Sequence, residues 1–448
     1  MTPKLRFKGF PNYHKRKLAD FTEKVARKAS IDSIEDIRMI SQGNGFILQS
    51  DKYSRENAGK SLKDYTLLKR GEFAYNHGAS KAKPYGVCYR LAESDSARVP
   101  FVYHTFRLTE GVPDYWNYAL NTDNMDRELK RLVSSGARMD GLLNISYESY
   151  TGIAVNYPCF AEQQKIADFL TAYDEKVSLQ QQKVEALEKR KKGLLQKVFS
   201  QEIRFKADDG SEFPEWEEET IGDLMEVTSV KRVHESDWVE SGVPFYRARE
   251  IVALHNGESV SPLYISETLY ADNIKKCGTI TEGDLLVTGV GTVGIQYLVK
   301  SNDRFYFKDG NIIWLKKSTC SRLIGEYLYY LFDSEFIKKQ IRDMAGIGTV
   351  ATYTIENAKR TKVCIPTISE QEKIADFFSA IDEQIGLEKQ RLEAMQTVKK
   401  GLLQQLFCDG SEEEEGEPAG AAAIYQLRPQ ASTLQAAAPA AEYNKGAE

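Results

Sequence analysis

A 38-residue segment occurs twice in this 448-residue chain, and the two copies lie 208 positions apart without a gap. The copies cover 162–199 and 370–407 and are identical at 21 of 38 positions. A shorter repeat opens each half, as Arg-Phe-Lys at 6–8 and again at 204–206. Internal repetition constrains the architecture more than any local motif. The chain therefore consists of a variable block, a repeat segment, a second variable block, a second repeat segment and a tail.

Each repeat segment carries an apolar seam with alternating spacings of four and three residues, which is the 3.5-residue period of a two-helix coiled coil. The apolar seam residues are Ile166, Leu170, Tyr173, Val177, Val184 and Leu187 in the first copy and Ile374, Phe378, Ile381, Ile385, Leu392 and Met395 in the second. Polar residues interrupt both seams at equivalent places, Gln180 with Glu388 and Lys191 with Lys399. Such residues lower stability but help to fix the helix register. Each segment predicts a helix of roughly 57 Å at about 1.5 Å per residue.

Three arrangements of these helices fit the pattern. The two helices can pair antiparallel, in which case the repeat implies a pseudo-two-fold axis and places the blocks at opposite ends of a spacer. Each helix can instead pack only on its own block, or pair in parallel with the same helix of a second copy. We expect the antiparallel pair.

The predicted fold class is α+β, with two globular blocks separated by two long helices that pair as an antiparallel coiled coil. Short β-branched and aromatic runs at 305–307 and 312–314 are typical of strands. Segments 127–134 and 323–341 predict helices. We place the blocks at 1–158 and 201–366 and the spacer helices at 159–200 and 367–408. The tail, 409–448, is acidic and then Ala-rich, a composition that cannot bury a core, so we predict disorder there.

Charge and composition narrow the class of protein. The first block has 25 basic and 18 acidic residues, a net charge of +7, and could face a polyanion unaided. The second has 20 basic and 26 acidic residues, so nucleic-acid contact there must be local or shared with a partner.

The chain shows no apolar run of about 18 residues and no secretory signal. Its six cysteines show no Cys-x-x-Cys spacing. We expect a cytoplasmic protein without a membrane span.

Catalytic signals are weak. Residues 289–294 match Gly-x-Gly-x-x-Gly, but a strand-like run follows where a dinucleotide fold needs a helix, so we predict a tight loop between strands. Pro113-Asp114 with Glu128 and Lys130 fits a loose magnesium nuclease pattern, yet 124–134 predicts a helix where adjoining strands are needed. The five histidines show no metal-ligand spacing, and no Pro-Pro-aromatic motif exists to hold a flipped base. We therefore predict a recognition protein and not an enzyme.

Over about residues 4–407 the sequence resembles the specificity subunit of type I restriction–modification enzymes. The marks are the two Glu-Gln-x-Lys-Ile-Ala-Asp-Phe segments, each entered from a strand that ends at Pro158 or Pro366. Lys-Lys-Gly-Leu-Leu-Gln closes both helices. Segments 138–146, 243–251 and 283–288 resemble entries into that family's target recognition domains. The tail departs from the family's pattern.

The resemblance implies that each block is a target recognition domain that reads one half of a bipartite, asymmetric site in double-stranded DNA. The paired helices would act as a molecular ruler for the gap between the half-sites and as a platform for two methylation subunits. The resemblance implies that S-adenosylmethionine binds to the methylation subunits. ATP and Mg are expected on the partner subunits, which include the restriction subunits. This chain would bind no cofactor and supply only the choice of sequence. The alternative is a coiled-coil adaptor that does not bind DNA.

DNA recognition needs Lys or Arg to position phosphates and Arg, Lys, Asn or Gln to read base edges. The first block offers a basic loop after a strand, and the second offers a turn and a glycine loop. The candidate DNA-binding residues are Asn76, His77, Ser80, Lys81, Lys83 and Tyr85 in the first block and Tyr246, Arg247, Arg249, Thr288, Thr292 and Gln296 in the second. A plain solvated loop in the first block and one exposed strand face in the second are the alternatives.

The ruler hypothesis makes a direct prediction. Insertion of one whole heptad into both helices preserves the seam, so the gap between the two half-sites should change while both half-site sequences stay the same. Mapping of methylated bases in cells that carry the complete system measures both quantities. An unchanged gap would contradict the hypothesis.

Overall fold

The structure is a computed structural model that describes residues 3–28, 36–41, 43, 45–52, 59–81, 83–133, 143–300, 303–317, 322–345 and 351–407. The predicted tail at 409–448 lies outside the described residues, as do residues 138–142 of one family-like segment. The chain divides into two compact units, Met1–Leu179 with Arg391–Glu448 and Gln180–Gln390. Each unit therefore combines one block with part of each repeat segment. Within the described ranges, no helix is long and apolar enough to cross a membrane.

The first block consists mainly of short strands. These are β1 (His14–Lys17), β2 (Thr22–Lys24), β3 (Arg38–Ser41), β4 (Gly45–Leu48), β5 (Thr66–Lys69), β6 (Phe73–Asn76), β7 (Val87–Arg90), β8 (Ser96–Val99), β9 (His104–Leu108) and β10 (Ala154–Tyr157). Strands β2, β9, β6 and β7 form an antiparallel sheet in that order. Antiparallel pairs join β1 to β10, β3 to β4 and β5 to β8. Paired residues Phe73 and Phe106 stack their rings at 5.3 Å in the sheet core.

Short helices follow the sheet strands and lead into the first long helix. The helices are α1 (Gln49–Lys52), α2 (Pro113–Ala119), α3 (Asp123–Leu132), α4 (Tyr147–Thr151) and α5 (Phe160–Phe199), with 3-10 turns at Leu18–Asp20 and Gly59–Asp64. Helix α3 begins where the Thr122 side chain accepts a hydrogen bond from the Met125 N–H, an N-cap arrangement. Met125 and Leu129, four residues apart on one face, are buried. The helix predicted at 127–134 is confirmed, although it begins earlier.

The strands of the second block join into larger sheets. Its strands are β11 (Glu217–Thr220), β12 (Glu226–Thr228), β13 (Trp238–Val239), β14 (Val243–Tyr246), β15 (Leu263–Ile265), β16 (Leu285–Thr288), β17 (Gln296–Leu298), β18 (Tyr306–Phe307), β19 (Ile312–Lys316) and β20 (Lys362–Ile365). Its helices are α6 (Ile221–Leu224), α7 (Ala248–His255), α8 (Glu267–Cys277), α9 (Gly325–Leu331), α10 (Glu335–Ala345) and α11 (Ile355–Arg360), followed by the long α12 (Ile368–Phe407), with a 3-10 turn at Glu235–Asp237. The strands predicted at 305–307 and 312–314 are confirmed.

The prediction of one helix over 323–341 is wrong. Helix α9 ends at Leu331 and a separate helix, α10, starts at Glu335. The hydroxyl of Ser334 accepts a hydrogen bond from the Ile337 N–H at 3.3 Å. A serine in this position satisfies an N–H group that the first helical turn leaves unpaired, so it favours a new helix start over continuation.

Both blocks share one framework although their sequences are hard to align. Strands β12, β19, β16 and β17 form a sheet in the order that corresponds to β2, β9, β6 and β7 in the first block. Helices α2–α4 or α9–α11 follow, and then a strand that pairs with the first strand of its block leads into α5 or α12. The blocks differ in their other strands. The second block joins β13, β15, β14 and β18 into one sheet, whereas the first has the separate pairs β3–β4 and β5–β8.

The long helices pair antiparallel within each unit. In the first unit the Tyr173 hydroxyl, early in α5, donates to the carbonyl of Met395, late in α12, at 3.1 Å. In the second unit Lys191, late in α5, forms a 2.6 Å ion pair with Asp382, early in α12. Gln180, one of the predicted polar interruptions, donates to the carboxylate of its equivalent Glu388 at 2.6 Å. The antiparallel coiled coil is therefore confirmed.

The predicted seam residues face inward along both helices. Buried or partly buried are Ile166, Leu170, Tyr173, Val177, Val184, Leu187, Ile374, Phe378, Ile381, Ile385, Leu392 and Met395. The helix starts also enter the block cores, since Ile166 and Leu170 join the apolar cluster around Trp116. Ile374 and Phe378 join the corresponding cluster of the second unit. The helices thus pack both on each other and on the blocks.

The core of the second unit gives a test of this packing. Phe378 is fully buried, 6.2 Å from the ring of Phe199 and 5.4 Å from that of Tyr330. Phe378→Ala should lower the free energy of unfolding by about 3–5 kcal/mol, because it removes apolar contacts and leaves a cavity. The control Phe160→Ala, at a largely exposed position, should change it by less than about 0.5 kcal/mol. Denaturant unfolding measures both, and equal effects would contradict the assigned core.

Candidate nucleic-acid interface

The basic loop of the first block is a tight turn between β6 and β7. The Ser80 N–H donates to the carbonyl of Lys83, and the Lys83 N–H donates to the Ser80 hydroxyl, each at 3.1 Å. The Asn76 side chain accepts from the Gly78 N–H at 3.0 Å. The Tyr75 hydroxyl donates a hydrogen bond to the carbonyl of Tyr85 at 2.6 Å. These bonds restrain the loop backbone, and with it the position from which an outward side chain such as Lys81 extends.

His77 does not fit the predicted role of a DNA contact. Its ring is buried and stacks on His104 at 4.8 Å. Its two ring nitrogens lie 2.7 Å from the carbonyl of Leu143 and 2.9 Å from that of Val102. Because both nitrogens are occupied inside the block, we remove His77 from the candidate interface and assign it to holding the loop against its neighbours.

The two lysines of this loop differ in accessibility. Lys81 is exposed, whereas Lys83 is partly buried. The ammonium of Lys83 lies 3.8 Å from the carboxylate of Asp126 and 3.5 Å from the carbonyl of Asn121. Burial raises the pKa of Asp126, and Lys83 opposes this rise. Lys81 is therefore the better placed of the two to meet a phosphate, and Lys83 links the loop to α3.

The glycine-rich segment of the second block is the turn of a β-hairpin. Strands β16 and β17 pair antiparallel on either side of it, from Leu285 opposite Leu298 to Val287 opposite Gln296. Gly291 and Gly294 adopt positive φ angles of 81°, a conformation that favours glycine. The prediction of a tight loop between strands is confirmed, and a helix start of the dinucleotide-binding kind is not present at this position.

Two predicted contacts in this hairpin are buried. The Thr288 hydroxyl accepts from the Ile295 N–H at 2.9 Å and donates to the carbonyl of Thr292. Gln296 is 1% exposed, and its side-chain amide donates to the carbonyl of Tyr329 at 2.9 Å. Both polar groups are satisfied internally, so Thr288 and Gln296 also leave the candidate interface. Thr292 remains, because its side chain is exposed at the turn.

The predicted arginines of the second block share one carboxylate. Arg247 donates to Glu250 from its guanidinium at 2.7 and 3.1 Å, and Arg249 donates to it at 2.6 Å. Glu250 is buried, whereas the Arg249 side chain is 70% exposed. Tyr246, next in the chain, stacks on Phe305 at 4.7 Å, and burial raises its pKa. Arg249 can thus offer its outer face to a phosphate or base while Glu250 fixes its orientation.

Sequence reasoning did not identify the residues that attach each block to its long helix. Glu162, fully buried at the start of α5, accepts from Arg6 at 2.7 Å and from the Tyr13 hydroxyl at 3.1 Å. Glu370, at the start of α12, accepts from Arg204 at 2.9 Å and from the indole N–H of Trp216 at 3.1 Å. The sequence did contain a sign of these contacts, because the arginine comes from the repeated Arg-Phe-Lys motif and the glutamate from the repeated Glu-Gln motif.

The glutamine of the same repeated motif makes a second attachment. The Gln163 side chain accepts from the Val112 N–H at 3.0 Å and donates to the carbonyl of Pro158 at 2.9 Å. Gln371 accepts from the Ile324 N–H at 3.0 Å and donates to the carbonyl of Pro366 at 2.9 Å. A buried amide that is satisfied on both sides specifies one orientation of the block on the helix start.

The weak nuclease pattern is not assembled. Asp114 lies on α2 and pairs with Arg90, while Glu128 lies on α3 and forms a 2.5 Å ion pair with Arg131. The two carboxylates therefore lie on helices and not on adjoining strands. Among the described residues, no group of three or more His, Cys, Asp or Glu side chains is placed to hold a metal ion.

Comparison with known proteins finds similarity to DNA-specificity proteins. A family model described as the type I restriction modification DNA specificity domain matches residues 214–397. The MjaVIII specificity subunit of Methanocaldococcus jannaschii is 24% identical over 287 residues, which cover 61% of this chain and 66% of that protein. A putative type I restriction enzyme specificity subunit of Haemophilus influenzae is 26% identical over 163 residues, 36% of this chain and 39% of that protein. The matches thus span less than two thirds of the length of these relatives.

Solved structures share the fold. A chain from a study of the assembly and conformational transition of a type I R-M system has a TM-score of 0.53 at 14% identity, over 90% of this chain and 99% of that chain. The S subunit of a type I restriction-modification system from M. genitalium has a TM-score of 0.51 at 16% identity, over 92% of this chain and 100% of that chain. At these identities the likeness shows the fold alone.

The fold has two blocks, each packed on parts of two long helices. Residues 214–397 match the type I restriction modification DNA specificity domain, and the chain is similar to specificity subunits of type I restriction enzymes. The resemblance seen in the sequence is confirmed. The comparisons do not favour the alternative of a coiled-coil adaptor.

The carboxylate shared by the two arginines predicts a pH dependence. Burial alone would raise the pKa of Glu250, but the hydrogen bonds from Arg247 and Arg249 outweigh it and hold the pKa below its ordinary value of 4.5. Because the pKa is depressed in the folded state, the stability that Glu250 contributes is present above pH 4.5 and is lost as the pH falls below it.

Glu250→Gln should therefore lower the free energy of unfolding at pH 7 by about 1.5–3 kcal/mol. The difference from the unmodified protein should shrink as the pH falls below 4.5, because protonation weakens the carboxylate in the unmodified protein as well. Denaturant unfolding over this pH range is the measurement. Asp272→Asn, which removes the exposed pair with Lys275, is the control with little expected effect. A difference that does not vary with pH would show that charge is not what matters at Glu250.

Proposed function

We propose that this chain is the DNA sequence-specificity subunit of a type I restriction–modification complex. In this role each block reads one half of a bipartite, asymmetric site in double-stranded DNA. The proposal rests on one observation: the two blocks share the same four-stranded sheet but differ in their other strands. The sheet β2-β9-β6-β7 recurs as β12-β19-β16-β17, while the remaining strands and the loop side chains differ between the blocks. A common scaffold with two different reading surfaces suits two different half-sites.

The contacts that we assign to DNA are the exposed members of the candidate set. Lys81 in the first block and Arg249 in the second supply positive charge, and Thr292 supplies a hydroxyl at a hairpin turn. Asn76, Ser80 and Tyr85 lie in the same turn as Lys81, and Tyr246 and Arg247 lie beside Arg249. Cations position the phosphates, and polar side chains beside them read base edges.

We infer that the partners are two methylation subunits and the restriction subunits, and that the chain itself is non-catalytic. Two exposed leucines on the long helices support two copies of one partner. Leu179 on α5 is 64% exposed, and Leu387 on α12 is 60% exposed. They occupy equivalent positions of the repeat, 208 residues apart. We expect S-adenosylmethionine, ATP and Mg on the partner subunits and no cofactor on this chain.

A block exchange tests the function. Replacement of residues 1–158 by the corresponding block of another specificity subunit should change one half of the methylated site and leave the other half unchanged, because each unit has its own sheet and core. Long-read mapping of methylated adenine, with the methylation partner present, reads both halves at once. Exchange of 201–366 is the matched control and should change only the other half. A change in both halves after either exchange would contradict the proposal.

A further inference from the structure

One aspartate in each unit joins three elements. In the first unit Asp174 on α5 accepts a hydrogen bond from the hydroxyl of Tyr118 on α2 at 2.8 Å. The same carboxylate forms a 2.5 Å ion pair with Lys399 of α12. The recognition block and both long helices therefore meet at one carboxylate. We call this group of three side chains the first node.

The second unit repeats the arrangement with the two helices exchanged. Asp382 on α12 accepts from the hydroxyl of Tyr330 on α9 at 3.0 Å and pairs with Lys191 of α5 at 2.6 Å. Asp174 and Asp382 are equivalent in the repeat, and so are Lys191 and Lys399. We call this group the second node.

The nodes are shielded enough for their bonds to matter. Side-chain exposure is 34% for Asp174, 31% for Lys399, 35% for Asp382 and 17% for Lys191. The Lys191 ammonium also lies 5.3 Å from the ring centre of Tyr330, in a cation–π arrangement. Burial, followed by the neighbouring aspartate, raises the pKa of both Tyr118 and Tyr330, so each hydroxyl stays protonated and donates.

Each node is a further attachment of the block to the same helix, beyond the glutamate and glutamine attachments at the helix start. The nearest of those is the glutamine that accepts the N–H of the residue before α2 or α9, which is Gln163 in the first unit and Gln371 in the second. The aspartate follows this glutamine by eleven residues in both repeats. Eleven residues span about 16 Å of helix. Attachments separated by this distance restrict the tilt of a block on its helix more than the closely spaced attachments at the helix start do alone.

Two other ion pairs between the long helices involve no block residue. Lys183 pairs with Glu388 at 2.5 Å and Lys389 pairs with Glu188 at 2.7 Å, and both pairs join α5 to α12 alone. Such pairs bear on the helix register but not on the angle of a block. The tyrosine is what distinguishes a node from an ordinary interhelical ion pair.

We propose that the two Tyr–Asp–Lys nodes are positioning devices that hold each recognition block at a fixed angle to the helix pair and so restrict the half-site gap that the protein accepts. The inference rests on the proposed function, because the gap is a property of a bipartite site. One base pair corresponds to about 3.4 Å along DNA. A block held only at the helix start can tilt and accept a half-site displaced by one such step.

The test removes one hydroxyl at a time. Tyr118→Phe and Tyr330→Phe keep the ring and the Lys–Asp pair but lose the bond to the block. The variants are prepared as full chains in the complete methylating complex and assayed on duplexes whose gap equals the native gap or differs by one base pair. We expect the methylation rate on altered gaps, relative to the native gap, to rise at least 10-fold, while the rate on the native gap falls less than 3-fold.

Two control variants separate positioning from general stability. Tyr297→Phe removes a 2.6 Å hydrogen bond of the same chemical kind, to Asp303, entirely inside the second block. Lys183→Met removes an ion pair between the helices that touches no block. Neither should change the relative rate on altered gaps. An equal change in either control would overturn the proposal, because the effect would then not belong to the nodes.

The remaining outcomes are also decisive. A fall in the native rate without a change in gap preference would make the nodes purely structural and overturn the inference. If either phenylalanine variant fails to assemble, Asp174→Asn and Asp382→Asn, which keep an acceptor for the tyrosine but weaken the lysine pair, should relax the gap preference to a smaller degree. Unchanged gap preference in both asparagine variants would overturn it. If the unmodified complex methylates no bipartite site at all, the proposed function itself fails, and the inference fails with it.

Discussion

The antiparallel contact between α5 and α12 is the constraint on which each unit depends. Each block has one apolar cluster made of its own residues and a second apolar cluster that is completed by residues from the long helices. In the first unit Leu406 and Phe407, from the end of α12, join Ile166 and Leu170, from the start of α5, in the core under the sheet. In the second unit Val198 and Phe199 join Ile374 and Phe378 in the same way. Each block is therefore folded against two chain segments that are distant in sequence, and the helix pair must form before either core is complete.

Buried charge gives this assembly its specificity. Glu162 and Glu370 have no exposed surface, and an ionised carboxylate without partners in such a place would cost several kcal/mol, roughly 3–5 when one partner of a buried pair is lost. Each is satisfied by an arginine and by the ring donor, hydroxyl or indole, of a residue that precedes the first strand of its block. Apolar packing alone would tolerate small rotations of a block on its helix. A fully bonded carboxylate tolerates few, so these residues select one orientation among several with similar apolar contact.

Much of the helical part of the fold could be predicted from the sequence, and less of the rest. The seam from Ile166 to Met395 was identifiable because a 3.5-residue period over several heptads has few other structural solutions. The shared framework of the blocks was not, because the equivalent strands 73–76 and 285–288 keep only their apolar character and not their residues. In the candidate site, His77, Thr288 and Gln296 were predicted to contact DNA, but the structure buries all three side chains. Residue type and a nearby turn indicate capacity for hydrogen bonding, but strand pairing decides which face a side chain takes, and each of these three faces inward.

The division between shared and divergent parts explains how such a chain can change what it recognises without losing its assembly. The attachments to the helices come from the ends of each block and from the helices after the common sheet, as Arg6, Gln163 and Tyr118 illustrate. The divergent strands, β3–β4 and β5–β8 in the first block and β13-β15-β14-β18 in the second, supply none of these bonds. Under the proposed function, substitutions at exposed positions of the divergent strands and turns would therefore alter the surface offered to DNA at little cost to the core. Substitutions in the attachments disturb the angle of the whole block, and with it every contact that the block makes.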